Sequence, residues 1–183
     1  MTNETGTKRD ITVSIACLRE GKTPVVSGQL DMALDPRQVL ELPATDLFEA
    51  FFDTTYAYRF GPVSHDVTVA RLVDRDTEHT LAEAFHFPHG VPAARIEPEI
   101  DISVEATETG DWTLRLATTR FTQSVNIVDD GFRPSDDWFH LAPGAKKIVA
   151  LKQRHRAAAD VTPNGTVTAL NATGGLSYRS PNP

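Results

Sequence analysis

Phe121-Thr122-Gln123-Ser124-Val125-Asn126-Ile127, followed after a turn by Gly131-Phe132-Arg133-Pro134-Ser135-Asp136-Asp137-Trp138-Phe139-His140-Leu141-Ala142-Pro143-Gly144, carries the densest structural information in this chain. The first run has the alternation of a strand, and Asp129-Asp130-Gly131 turns it. A short aromatic-rich segment comes next, and Pro143-Gly144 is a second turn that leads into the apolar run at 147–151. Strand, turn, aromatic segment, turn, strand is the grammar of an antiparallel all-β domain.

The same grammar extends in both directions. Ile11, Val13, Ile15 and Cys17 alternate with Thr12, Ser14 and Ala16. Ile100, Ile102, Val104 and Ala106 alternate with Asp101, Ser103, Glu105 and Thr107, and Trp112, Leu114 and Leu116 with Thr113, Arg115 and Ala117. Period two with one apolar face marks antiparallel strands buried on one side. Further strands are expected at 25–34, 39–42, 56–60, 65–73, 80–87, 124–128, 147–151 and 166–170. Turn residues separate them, among them Glu20-Gly21, Asp35-Pro36, Thr109-Gly110 and Pro163-Asn164-Gly165. The best helical signal is 44–52, where Leu47, Phe48, Phe51 and Phe52 recur at helical spacing behind Thr45 or Asp46 as N-cap.

Pro88, Pro92 and Pro98 bracket a stretch that cannot donate ladder hydrogen bonds at those positions and favours an extended linker. The fold expected is all-β: two tandem immunoglobulin-like antiparallel β-sandwiches joined by this Pro-rich linker. They would occupy residues 8–90 and 97–172, with a loose tail rich in Gly, Ser and Pro at 173–183. With 183 residues, two such sandwiches fit. A (β/α)8 barrel, which takes about 250 residues, does not.

Composition narrows the function classes. The net charge of −7 at pH 7 disfavours nucleic acid and anionic lipid as partners. The single cysteine, Cys17, excludes an intrachain disulfide, and its place among Ile15 and Leu18 reads as a buried, inert thiol. There is no apolar run of transmembrane length, and residues 1–10 lack the apolar centre of a signal peptide, so a cytoplasmic setting is the default expectation.

With this pattern in place, a resemblance can be stated. Phe51-Phe52-Asp53-Thr54-Thr55-Tyr56-Ala57-Tyr58-Arg59-Phe60-Gly61-Pro62, Ser64-His65-Asp66-Val67 and Glu83-Ala84-Phe85-His86-Phe87-Pro88 are similar to the penultimate domain of bacterial β-mannosidases of glycoside hydrolase family 2. Thr119-Arg120-Phe121, Gln123-Ser124-Val125 and the run from Gly131 to Gly144 resemble the last, immunoglobulin-like domain of the same enzymes. These stretches cover about a third of the chain; Asp137 stands where that family often has Asn, an exchange that removes a side-chain donor. The resemblance implies an accessory region of an enzyme that releases terminal β-D-mannose with retention, using two glutamates on a catalytic barrel. No matched motif belongs to that barrel. The chain alone is therefore expected to be no enzyme, without catalytic residue, cofactor or metal, its partner being the barrel of the same polypeptide.

A retaining glycosidase needs two carboxyl groups ~5–5.5 Å apart; Asp136-Asp137, Asp129-Asp130 and Glu97/Glu99 are close in sequence but read as solvated turn or linker residues. Asp74-Arg75-Asp76-Thr77-Glu78 could offer oxygens to calcium and reads better as a hairpin tip. His86 and His89 lack the further ligands of a zinc site. Trp138 and Phe139 are expected to plug the sandwich end, with Phe132 closing beside them; a loop-borne platform of Trp138, Phe139 and His140 for mannose-containing glycans is the alternative. Tyr56 and Tyr58 share a face with Phe60 and Arg59 points away, which suits packing against a neighbouring domain, Arg59 giving an ion pair or cation–π contact. Tyr56, Tyr58, Arg59, Trp138 and His140 are thus the candidate interdomain or sugar contacts. Two other classes remain open: an independent carbohydrate-binding sandwich using Trp138 or Trp112, and a protein-interaction module.

Overall fold

The computed structural model describes residues 1–48, 51–54, 61–90, 95, 97–154 and 161–180. About half of the described residues lie in antiparallel strands, with no α-helix among them. The chain divides into two compact units, Met1–Val91 and Pro92–Pro183.

The first unit is built on β1 (Arg9–Arg19), β2 (Thr23–Leu34), β3 (Val67–Asp74) and β4 (Thr80–His86), in the order β2-β1-β3-β4. The β1–β2 hairpin turns through Glu20 and Gly21, at φ 54° and 61°. Two consecutive left-handed residues match the right-handed twist of the strands they join, and glycine takes the conformation without penalty. Ile11, Val13, Ile15 and Cys17 share a face as expected, opposite Met32, Leu30, Gly28 and Val26 of β2. Cys17 is fully buried, its Sγ 3.4 Å from Thr68 Oγ1, and burial pushes the thiol above its ordinary pKa.

Three expectations for this unit are revised. The helix at 44–52 is a single 3-10 turn, Ala44–Leu47, preceded by Pro43; neither Thr45 nor Asp46 caps it through a side chain. Phe48 is already extended at φ −98°, ψ 143°. This turn lies against β2 at Gly28, where a Cβ would stand 1.8 Å from the Leu47 carbonyl oxygen. Second, the structured region begins before residue 8. Buried Asn3 donates to the carbonyls of Thr7, Leu34 and Asp35, and Thr2 bridges Val39. Third, the described residues of this unit give one sheet where two stacked sheets were expected. The 39–42 segment contributes only the Thr2–Val39 bridge, flanked by Pro36 and Pro43, which have no amide proton to extend a ladder; 55–60 lies outside the described residues.

The second unit is a two-sheet sandwich. One sheet orders β5 (Ile100–Ala106), β6 (Trp112–Thr118), β10 (Lys146–Gln153) and β8 (Phe132–Pro134) as β5-β6-β10-β8. The other orders β12 (Leu176–Arg179), β11 (Asn164–Thr168), β7 (Thr122–Asp129) and β9 (Phe139–Leu141) as β12-β11-β7-β9. Leu114, Leu116, Val149 and Leu151 face inward from the first sheet and meet Val125, Ile127, Val167 and Tyr178 from the second. Burial of each such aliphatic side chain stabilises the unit by about 1.5–3 kcal/mol.

The loose tail expected at 173–183 is corrected for its described part. Leu176–Arg179 pairs along β11, from Asn164↔Arg179 to Val167↔Leu176. Tyr178 is 5% exposed and its hydroxyl donates to Asp129 Oδ2 at 3.0 Å. Burial, then the Asp129 charge, pushes the phenol well above its ordinary pKa. Gly165 makes room for it, since a Cβ there would stand 2.6 Å from the Tyr178 oxygen. Composition marked this segment as loose; one tyrosine and one facing glycine anchor it.

Candidate functional site

The segment between β8 and β9 is assembled around carboxylates. Asp137 Oδ1 accepts the Ile127 amide at 2.9 Å and the Trp138 amide at 3.0 Å, and Oδ2 accepts Asn126 Nδ2 at 3.0 Å. A single side chain thus ties the loop to β7. Asn in its place could not serve all three donors without turning the Asn126 amide. Asp136 Oδ1 accepts the Asp137 amide and Oδ2 pairs with Lys147 Nζ at 2.6 Å; these contacts, the Lys147 bond foremost, hold the carboxyl below its usual pKa. The same ammonium sits 4.5 Å from the centre of the Phe139 ring. After β9 comes a tight turn, with Gly144 at φ 77° and the Ala145 amide on the Ala142 carbonyl at 3.0 Å.

Trp138 departs from the expected plug. It is 64% exposed and held at φ 60°, a left-handed conformation that a bulky side chain seldom adopts. Phe132, at 2% exposure, closes the core as expected, and Phe139 is half-buried. The geometry follows from Asp137: once its carboxylate takes the Ile127 and Trp138 amides together, the backbone must bend sharply between them. His140 is oriented inward. Its Nδ1 accepts the Ser124 amide at 2.9 Å, and its ring lies 5.8 Å from that of Phe121. Ser124 is at φ 48° in a break of the β7–β9 register, so the imidazole takes an amide that the bulge leaves out of the ladder. Burial lowers the His140 pKa. His140 thus has a structural task at the bulge.

Beside Asp136 and Asp137 lies a cleft of about 380 Å³, lined also by Arg133, Ser135 and Arg154. Arg154 Nε donates to the carbonyls of Phe132 at 3.1 Å and Asp129 at 3.3 Å, which fixes one wall. Tyr56, Tyr58 and Arg59 lie outside the described residues.

Asp129, Glu97, Glu99 and Asp74 are committed to structure. Asp129 is buried, a correction to its reading as a solvated turn residue. Its Oδ1 accepts the amides of Gly131 and Phe132, and its Oδ2 accepts the Asn164 amide and the Tyr178 hydroxyl. Glu99 Oε1 receives Arg120 Nη2 at 3.0 Å and Glu97 Oε1 receives the Thr173 hydroxyl at 2.9 Å. Asp74, 4% exposed, accepts the amides of Asp76 and Thr77 and the Thr77 hydroxyl, with Arg9 on its other oxygen; these bonds hold its carboxyl below the usual pKa. Among the described residues no group of three or more His, Cys, Asp or Glu side chains is placed to hold a metal ion.

Sequence reasoning missed His65. It is fully buried, with Nδ1 2.9 Å from Ser64 Oγ and its ring 5.4 Å from that of Phe52. Its Nε2 has no hydrogen-bond partner among the described residues. Burial, helped by His86 and His89 nearby and opposed by Asp66, lowers its pKa. Its place in the 65–73 strand and in the quoted stretch Ser64-His65-Asp66-Val67 were signals for this residue.

No helix among the described residues is long and apolar enough to cross a membrane. No protein-family model matches the sequence, and no curated protein matches it either. Fold and geometry together define the class as an all-β protein of antiparallel sheets whose second unit is a sandwich.

Proposed function

We propose that the chain is a non-catalytic accessory region of a β-mannosidase-like glycoside hydrolase of family 2. In this reading it forms two tandem immunoglobulin-like sandwiches that buttress a catalytic barrel of the same polypeptide, and the barrel alone hydrolyses terminal β-D-mannose. The observation that carries the reading is the role of the residues in the 121–144 stretch, where the resemblance is densest. Phe121, Phe132 and Leu141 are buried, Asp137 ties the loop to β7, and Gly144 makes the turn into β10. A likeness concentrated on residues that close one end of a sandwich supports shared architecture without shared chemistry.

The carboxylates support the non-catalytic part. A retaining pair needs one group with a raised pKa beside a second poised as nucleophile. Asp129 and Asp137 instead spend their oxygens on backbone amides and neighbouring side chains, while Asp74 and Asp136 are held below the usual range. The reading expects no turnover of a nitrophenyl β-mannoside by the purified chain; turnover above background that persists through repurification contradicts it.

A further inference from the structure

We propose that the outer edge of β2 is a homodimer interface, where a second copy of this chain lays its own β2 antiparallel across a two-fold axis at Leu30. This goes beyond the accessory reading and does not rest on it. β2 is a 12-residue strand at the end of its sheet and pairs with β1 alone. The Arg75 amide donates to the Asp10 carbonyl at 3.0 Å, so even-numbered residues of β1 bond β3 and odd-numbered ones bond β2. Their partners on β2, from Val26 opposite Cys17 to Leu34 opposite Arg9, are even-numbered. Ser27, Gln29, Asp31 and Ala33 therefore aim their amides and carbonyls away from the sheet. Among the described residues nothing takes these groups.

An open edge of this length is a template for another strand, and folded chains ordinarily guard it with charge, proline or a bulge. Here the guards lie outside the regular stretch or are engaged elsewhere. Pro24 and the register shift opposite Cys17 and Leu18 both precede Val26. Asp31 is the one charge between Thr23 and Leu34, and it is held by the Thr12 hydroxyl at 2.6 Å and by Arg75 Nη2 at 3.3 Å. A carboxylate offers about four acceptor positions, so it keeps room for a further donor.

The fit of the strand to itself singles out a second copy as the occupant. About a two-fold at Leu30, Gln29 faces the partner's Asp31, side-chain amide to carboxylate, and Ser27 faces the partner's Ala33. These odd-numbered pairs exchange both main-chain bonds. Gly28 faces the partner's Met32 and Val26 the partner's Leu34, so the apolar face shared by β1 and β2 runs on into the other copy. Leu30, 40% exposed in the single chain, meets its own counterpart at the more closely spaced kind of pair. A two-fold at Asp31 would instead set two carboxylates opposite each other. A two-fold contact uses this edge in both copies and stops at a dimer.

Sedimentation equilibrium of the full chain tests this, and a concentration-dependent monomer–dimer mass is expected. Gln29→Pro deletes an outward amide without touching the β1 ladder, and Leu30→Lys sets two ammonium groups together at the axis. Each is expected to weaken association roughly tenfold or more while the thermal transition persists. Mild oxidation of Leu30→Cys is expected to give a disulfide-linked dimer, since Cα atoms at such a pair lie about 4.5 Å apart. Ala33→Cys, facing Ser27, is expected not to cross-link, and Cys17 is fully buried. A single monomeric mass up to about 100 μM overturns the proposal, whether the edge stands empty or takes a strand of another protein. So does a dimer that both Gln29→Pro and Leu30→Lys leave intact, a Leu30→Cys chain that does not cross-link, or an Ala33→Cys chain that cross-links as readily. The accessory reading concerns a barrel on the same polypeptide and stands or falls separately.

Discussion

Asp129 shows how much structure one side chain can hold in this molecule. Four donors converge on its two oxygens, from the turn after β7, from the start of β11 and from β12. Tyr178→Phe removes one of them and is expected to destabilise the second unit by roughly 1–2 kcal/mol, read from urea denaturation. Asp129→Ala strands all four buried donors and is expected to cost more than Tyr178→Phe; equal losses would show that the hydroxyl alone matters. The buried histidines set a pH dependence. His65 and His140 have folded pKa values below their unfolded value of about 6.5. Their neutral forms are favoured on folding, so the contribution is complete above pH ~6.5 and is lost as pH falls towards the folded values. Thermal midpoints of the chain are expected to be flat above neutrality and to drop below pH ~6.5, with the drop reduced in His65→Gln; a midpoint that rises through this range would contradict the assignment. Cys17, Leu114 and Val149 were legible at this scale from alternation alone. His65, Asp129 and Tyr178 were not, because a polar residue's burial depends on partners distant in sequence that no local pattern records.

Among the elements, long strands were read well and short ones poorly. Residues 100–106 and 112–116 alternate over enough positions for period two to stand out, and they form β5 and most of β6. β8, β9 and β12 have three or four residues each, too few to show a period. Their pairing is fixed instead by side chains: Asp137 for the loop before β9, and Tyr178 for β12. Two glycines mark where elements approach too closely for any side chain. At Gly165 a Cβ would lie 2.3 Å from the Val128 carbonyl and 2.6 Å from the Tyr178 hydroxyl. Gly165→Ala is therefore expected to displace β12 and cost roughly 1–3 kcal/mol, with faster amide exchange along residues 176–179; unchanged exchange there would show that β12 does not depend on this approach. Gly28 plays the same part beneath the 3-10 turn of the first unit. The extended backbone at Phe48 ends the helical spacing of 44–52 after one turn, the shorter of the one or two turns expected.

At the scale of the molecule, the chain's division into two units falls where the prolines cluster. The second unit is held by a continuous core between two sheets. Leu114→Asp places an unpaired charge in that core and is expected to abolish the second unit's cooperative transition, while Ile102→Asp, at a partly buried position, weakens it less. All-β architecture and the absence of room for a barrel were legible from alternation and length. The proposed role rests on a resemblance in about a third of the residues, and the geometry gives Phe121, Phe132, Asp137 and Gly144 among them structural work. The most direct test of the accessory reading joins this chain to a family 2 β-mannosidase barrel that lacks its own C-terminal sandwiches. The account expects the joined protein to melt several degrees above the bare barrel, roughly 2–4 °C for each kcal/mol of stabilisation in a domain of that size, with hydrolysis still assigned to the barrel glutamates. A thermal midpoint identical to that of the bare barrel would contradict it.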